Sequence, residues 1–121
     1  MPARFANLVI DCADTERVAA FWSAVLGYDV LQRDPDGTIE IGPAGGALPT
    51  LIFVPVPEPK TLKNRVHIDV RAVGTDQATE LQRLLGLGAR QIDIGQGDVS
   101  WVVLADPEGN EFCLLRRALS D

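Results

Sequence analysis

Histidine, tyrosine and methionine each occur once in this chain, and cysteine twice, at Cys12 and Cys113. A single histidine excludes any mechanism that draws two from one chain. Two cysteines far apart in apolar segments make no disulfide framework; they read as free, buried thiols, and the expected compartment is the reducing cytoplasm. Basic residues are also few, 11 Lys and Arg against 17 Asp and Glu, a net charge of −6. Lys60, Lys63 and Arg65, or Arg116 and Arg117, are too sparse to form the basic stripe of a nucleic-acid partner. No apolar run approaches the roughly 20 residues of a membrane span, and the opening Met1 to Phe5 starts no secretory apolar region. The expectation is therefore no nucleic acid and no membrane. With 46% hydrophobic and 23% charged residues the composition is that of a globular domain. A length of 121 residues suits one domain that folds without disulfide or structural metal.

Asn7 to Cys12 alternates as a strand, with Leu8, Ile10 and Cys12 on one face and Asn7, Val9 and Asp11 on the other. Asp14 is placed to cap a helix, Glu16 lies in its first turn, and Val18, Phe21, Trp22, Val25 and Leu26 form its apolar stripe. Gly27 ends it. Tyr28–Arg33, Thr38–Ile41 and Thr50–Val54 read as three strands, with a turn at Asp34-Pro35-Asp36-Gly37 and a loop over 42–46. Prolines 55, 57 and 59 interrupt the pattern. It then restarts: a strand at Val66–Val70, a helix at Thr75–Leu85 with Ala78, Leu81, Leu84 and Leu85 inward, and strands at Ala89–Ile94, Val99–Leu104 and Glu111–Arg116. Asp106 to Asn110 is the last hairpin turn.

The same five-element order thus occurs twice, and Asn7 superimposes on His67, Leu8 on Ile68 and Thr15 on Thr75. Each half alone is a small sheet with one helix. The expected architecture is α+β: two tandem βαβββ modules, 1–56 and 63–121 with a linker over 57–62, forming one domain with a curved, cleft-bearing mixed sheet and the helices outside.

Three segments carry a resemblance. Asp14-x-x-Arg17 leads into Phe21-Trp22-Ser23-Ala24-Val25-Leu26-Gly27; Lys63-Asn64-Arg65-Val66-His67-Ile68-Asp69-Val70 follows the prolines; and Asp106-Pro107-Glu108-Gly109-Asn110-Glu111-Phe112-Cys113 closes the series. In this order they resemble the vicinal oxygen chelate superfamily of glyoxalase I, bleomycin resistance proteins and extradiol dioxygenases. More narrowly, they are similar to a glyoxalase-like subgroup common in actinobacteria. The resemblance covers nearly the whole chain and implies paired βαβββ modules in a bacterial homodimer. In metal-using members four side chains converge on a divalent ion, and the corresponding positions here are Asn7, Val54, His67 and Cys113. Val54 has no donor atom, Asn7 a neutral oxygen, and Cys113 stands where glutamate is usual. The set suits no Mg²⁺ or Mn²⁺ site, so no cofactor is expected.

Two readings of His67 stand: a histidine satisfied by a neighbouring group, or a general base assisted by Asp69 on the same face. Glu111 shares a face with Cys113; it is either solvated or a carboxylate displaced by two residues from the missing ligand. Cys113 is a small core residue or, within reach of His67, a nucleophile. Trp22 reads as core. Trp101, alternating with Val99 and Val103, faces the core or a cleft wall that would stack on a flat ligand. The cleft residues are then Asn7, Val9, Val54, His67, Trp101 and Cys113. The Lys60, Lys63 and Arg65 cluster reads as a solvated rim, or as a lure for an anionic ligand. Three functions follow: a metal-independent binding protein for a small, flat or apolar molecule; a lyase, isomerase or hydratase using His67 with Asp69 or Glu111; and a divalent-metal glyoxalase-like enzyme.

Overall fold

The computed structural model describes residues 1–120, which divide into two compact units, Met1–Pro59 and a second beginning at Lys60. Each has the order βαβββ. The first comprises β1 (Asn7–Cys12), α1 (Thr15–Leu26), β2 (Asp29–Arg33), β3 (Ile39–Gly42) and β4 (Thr50–Pro55). Its sheet runs β1-β4-β3-β2, with β1 parallel to β4 and the other pairs antiparallel. The second comprises β5 (Ile68–Val70), α2 (Gln77–Gly86), β6 (Arg90–Gln91), β7 (Val102–Ala105) and β8 (Glu111–Leu114). Its sheet repeats that order as β5-β8-β7-β6, with β5 parallel to β8.

In the first unit local chemistry and tertiary structure agree. The Asp14 carboxylate accepts the Arg17 N–H at 3.1 Å, which satisfies one of the donors a helix start leaves open. Gly27 ends α1 at φ 67°, a conformation that favours glycine. Val18, Phe21, Trp22 and Val25 bury one face of α1, with Phe21 and Trp22 edge to face at 5.4 Å. The sheet contributes Cys12, Ile39, Ile41, Leu51 and Phe53 to this core. Thr15 Oγ1 donates to the Gly37 carbonyl at 2.7 Å and ties the start of α1 to the β2–β3 turn.

The second unit departs from its sequence pattern in four places. β5 is three residues long, so His67 precedes the strand instead of lying within it. The strand expected over Ala89–Ile94 keeps only Arg90 and Gln91. Beyond them, the Asp93 carboxylate accepts the Gly95 N–H at 2.7 Å and Gln96 accepts the Ile94 N–H at 2.8 Å, so side chains take the backbone donors that a ladder would use. β7 starts at Val102, which leaves Trp101 in a bend, 41% exposed and outside the expected alternation. On α2, capped by Asp76 through the Thr79 N–H, Leu84 is buried and Leu81 and Leu85 half-buried, but Ala78 is exposed. Glu80 is buried in its place, its carboxylate held by the Arg83 guanidinium at 2.7 and 2.8 Å.

The β7–β8 turn is built around Asp106, which is wholly buried. Its Oδ1 accepts the backbone N–H groups of Glu108 and Asn110, both at 2.9 Å, and its Oδ2 accepts Asn110 Nδ2 at 3.0 Å. Removing this acceptor leaves half-buried donors unpaired at the point from which β8 departs. Asp106→Ala should therefore lower unfolding stability by about 2–4 kcal/mol in urea titration. A loss under about 0.5 kcal/mol, the size of an ordinary surface change, would contradict this role.

Candidate functional site

The polar cluster of the second unit grows from β8, an interior strand. Period-two geometry puts Glu111 and Cys113 on one face of it. The register sets Cys113 beside Asp69 on β5 and beside Val103 on β7. The irregular segment 60–67 adds Lys60, Lys63, Asn64 and His67.

Glu111 is only 8% exposed, and both of its oxygens are engaged. Oε2 receives Lys60 Nζ at 2.8 Å and Oε1 the Asn64 backbone N–H at 2.8 Å. Asn64 Nδ2 also donates to Asn110 Oδ1 at 3.0 Å, and Lys60 Nζ to the Leu62 carbonyl at 2.7 Å. Burial alone would raise the Glu111 pKa; the Lys60 ammonium and the Asn64 N–H outweigh it and hold the carboxyl below its ordinary range. Glu111 is thus an ionised anchor that fixes segment 60–64. It is neither the solvated strand start nor an open acid, and Lys60 is no solvated rim residue.

Cys113 is buried, and the strand register sets it beside Asp69. Burial, and then this neighbouring charge and hydrogen bond, push the thiol's pKa up, against a weaker opposite pull from the Lys63 ammonium. A thiol in this state is a poor nucleophile at neutral pH. Asp69, expected to assist His67, is thus the register partner of Cys113. His67 is exposed, and its Nε2 lies 3.4 Å from Lys63 Nζ. An ammonium can only donate, so in this contact Nε2 presents its lone pair to Lys63.

Asn7, Val9 and Val54 belong to the first unit, on the sheet face turned away from α1. There Asn7 pairs with Thr50, Val9 with Ile52 and Asp11 with Val54. Val9 is 51% exposed, Asn7, Ile52 and Val54 are half-buried, and Thr50 Oγ1 donates to Glu40 at 2.6 Å. Asn7 and Val54 stand four residues apart in this register, about 13 Å along the strands, whereas metal donors meet within about 2–2.6 Å of one ion. Among the described residues no three His, Cys, Asp or Glu side chains gather where they could hold an ion. The one histidine nitrogen at the corresponding position already faces an ammonium. This donor set does not fit a divalent cation.

A family model described as a glyoxalase-like domain matches residues 7–115. The chain belongs to this family. Its fold is that of the glyoxalase/bleomycin resistance/dioxygenase proteins, as solved structures also show. A possible glyoxalase from Bacillus cereus superimposes with a TM-score of 0.69 at 14% identity, covering 94% of this chain and 99% of that one. A glyoxalase/bleomycin resistance protein/dioxygenase family enzyme from Burkholderia phytofirmans gives 0.65 at 18% identity, covering 93% and 97%. The fosfomycin resistance protein FosX of Listeria monocytogenes, in a complex with Mn(II) and a dihydroxypropylphosphonic acid, gives 0.67 at 12% identity, covering 95% and 90%. No curated protein matches the sequence. In this glyoxalase-like chain the anchoring roles of Lys60, Asn64 and Asn110 escaped sequence reading, because the ion pair spans 51 positions and leaves no periodic mark. The one available signal was a lysine-rich segment beside the Asp-Pro-Glu-Gly-Asn turn.

Two outcomes test the anchor. Lys60→Met leaves the Glu111 carboxylate buried without its cation, and should cost about 2–4 kcal/mol in urea unfolding at neutral pH. The folded carboxyl binds its proton more weakly than the unfolded one. Its stabilisation is therefore present above the ordinary carboxylate range and lost as pH falls through and below that range. Unfolding measured from about pH 6 to pH 3 should show this loss in the wild type and a flatter profile in Glu111→Gln; equal slopes would remove Glu111 from the role.

Proposed function

We propose that this glyoxalase-like protein binds a small, flat or apolar molecule without a divalent metal, as a homodimer in the bacterial cytoplasm. The observation that carries the reading is the fate of the second unit's ligand positions. His67 faces an ammonium, Cys113 is buried beside Asp69 where burial pushes its thiol's pKa up, and the nearby carboxylate of Glu111 is already neutralised by Lys60. Each unit leaves an apolar side chain open that a ligand could use: Val9 is 51% exposed in the first and Trp101 41% in the second. Two buried cysteines outside any disulfide suit a reducing compartment. No helix among the described residues is long and apolar enough to cross a membrane, and the net charge of −6 disfavours nucleic acid.

One observation favours a second reading, an acid–base enzyme of lyase, isomerase or hydratase type: His67 is accessible to a substrate. Small aromatic ligands screened by thermal shift and Trp fluorescence separate the two. A ligand at about a hundredfold excess over Kd should stabilise the protein by about 2.7 kcal/mol. Turnover of a hit that His67→Ala abolishes without loss of binding would establish the enzyme. In parallel, divalent-metal titration should give no stoichiometric uptake and no thermal stabilisation. A tight 1:1 metal whose affinity collapses in His67→Ala would overturn the metal-independent reading.

A further inference from the structure

The first unit holds most of the chain's negative charge. From Met1 to Pro59 there are eight Asp and Glu against three Arg, a net charge of −5 of the chain's −6. None of the three arginines stands on the sheet face turned away from α1. Arg4 precedes β1, Arg17 belongs to α1, and Arg33 is bonded to Glu16 of α1 at 2.8 Å. On that face the register makes Val9, Ile52, Glu40 and Gln32 successive neighbours across all four strands. Its charged strand residues are Asp11, Asp29 and Glu40, all acidic. Glu40 is half-buried and held in place. Thr50, 2% exposed, donates its hydroxyl to Glu40 Oε2 at 2.6 Å. Gly42 makes room for this arrangement, since a Cβ there would come 2.8 Å from both Thr50 Cγ2 and Leu31 Cδ1. Among the described residues Glu40 belongs to no ion pair, and its second oxygen accepts nothing.

Resting on the metal-independent reading, we infer that this face takes a small organic cation, an ammonium on a flat apolar body, with Glu40 accepting from the ammonium while the apolar part lies along Ile52 toward Val9. Three features converge on this ligand class: a carboxylate fixed by Thr50, apolar neighbours in register with it, and no lysine or arginine on the same face. A neutral apolar ligand would strip water from Glu40 and return no partner. An anion would meet three carboxylates. An ammonium instead makes a charge-assisted hydrogen bond with the open oxygen. The Thr50 bond has already ordered the carboxylate, so little ordering remains to be done on binding. The negative field of the unit draws cations toward it.

The probe is 1-naphthylmethylamine, a cation at neutral pH; 1-naphthalenemethanol is its neutral counterpart and 1-naphthoate its anionic one. Titration calorimetry on the full chain should show the ammonium binding at least about tenfold more tightly than the alcohol, with affinity falling as salt rises and naphthoate the weakest. Glu40→Gln still accepts the Thr50 hydroxyl but carries no charge, and should bring the ammonium down to the affinity of the alcohol. Glu58→Gln, the same change at an exposed carboxylate after β4, should leave the preference. Circular dichroism checks that both variants fold, and the comparison of the three probes on the wild type decides the matter if Glu40→Gln does not. Equal affinity for ammonium and alcohol, no saturable ammonium binding, or equal losses in the two variants would overturn the inference. If the alcohol then binds as well as the ammonium, the metal-independent binding reading survives alone. A tight 1:1 metal lost in His67→Ala would remove that reading whatever the probes show.

Discussion

A buried carboxylate organises the second half of this molecule. Glu111 begins an interior strand with little access to water, and a charge in that position is tolerated only if it is paired and hydrogen-bonded. Lys60 and the Asn64 N–H meet that demand, one at each oxygen. In doing so they tie down a stretch with no helix or strand of its own. Asn110 continues the network to Asp106, so the turn before β8 and the segment before β5 are fixed by one set of bonds. The placement of Lys63 and His67 depends on this arrangement.

The consequence is a site whose electrostatics differ from those of a metal centre. A divalent ion needs deprotonated, unshared donors gathered on one point. Here the carboxylate that could serve is neutralised by lysine, burial and the neighbouring Asp69 push the thiol's pKa up, and the histidine nitrogen faces an ammonium. The βαβββ frame is shared with structures that include a Mn(II) complex, so the frame does not decide the chemistry; the side chains in it do.

Most of the fold was legible in the residues. The stripe Val18, Phe21, Trp22, Val25, the Asp14 cap and the Gly27 stop are local signals, and α1 formed as they indicate. The repeated element order recovered both modules. The readings that failed lie where local patterns compete with side-chain bonds. Ile92 to Ile94 read as the end of a strand from Ala89, yet Asp93 and Gln96 capture the backbone donors of Gly95 and Ile94. On α2, Glu80 is buried because Arg83 neutralises it, and Ala78 is left outside.

The single histidine, the paucity of thiols and the acidic balance bounded the chemistry before any coordinate was considered, since they limit which side chains can take part at all. The motifs around Asp14, Lys63 and Asp106 determined the family, because caps, turns and apolar spacing act over a few residues. Which lysine is spent on Glu111, and that Asp69 lies beside Cys113, are facts of tertiary structure. They arise from strand register and from an ion pair between residues 51 positions apart, and no local pattern encodes a bond over that distance.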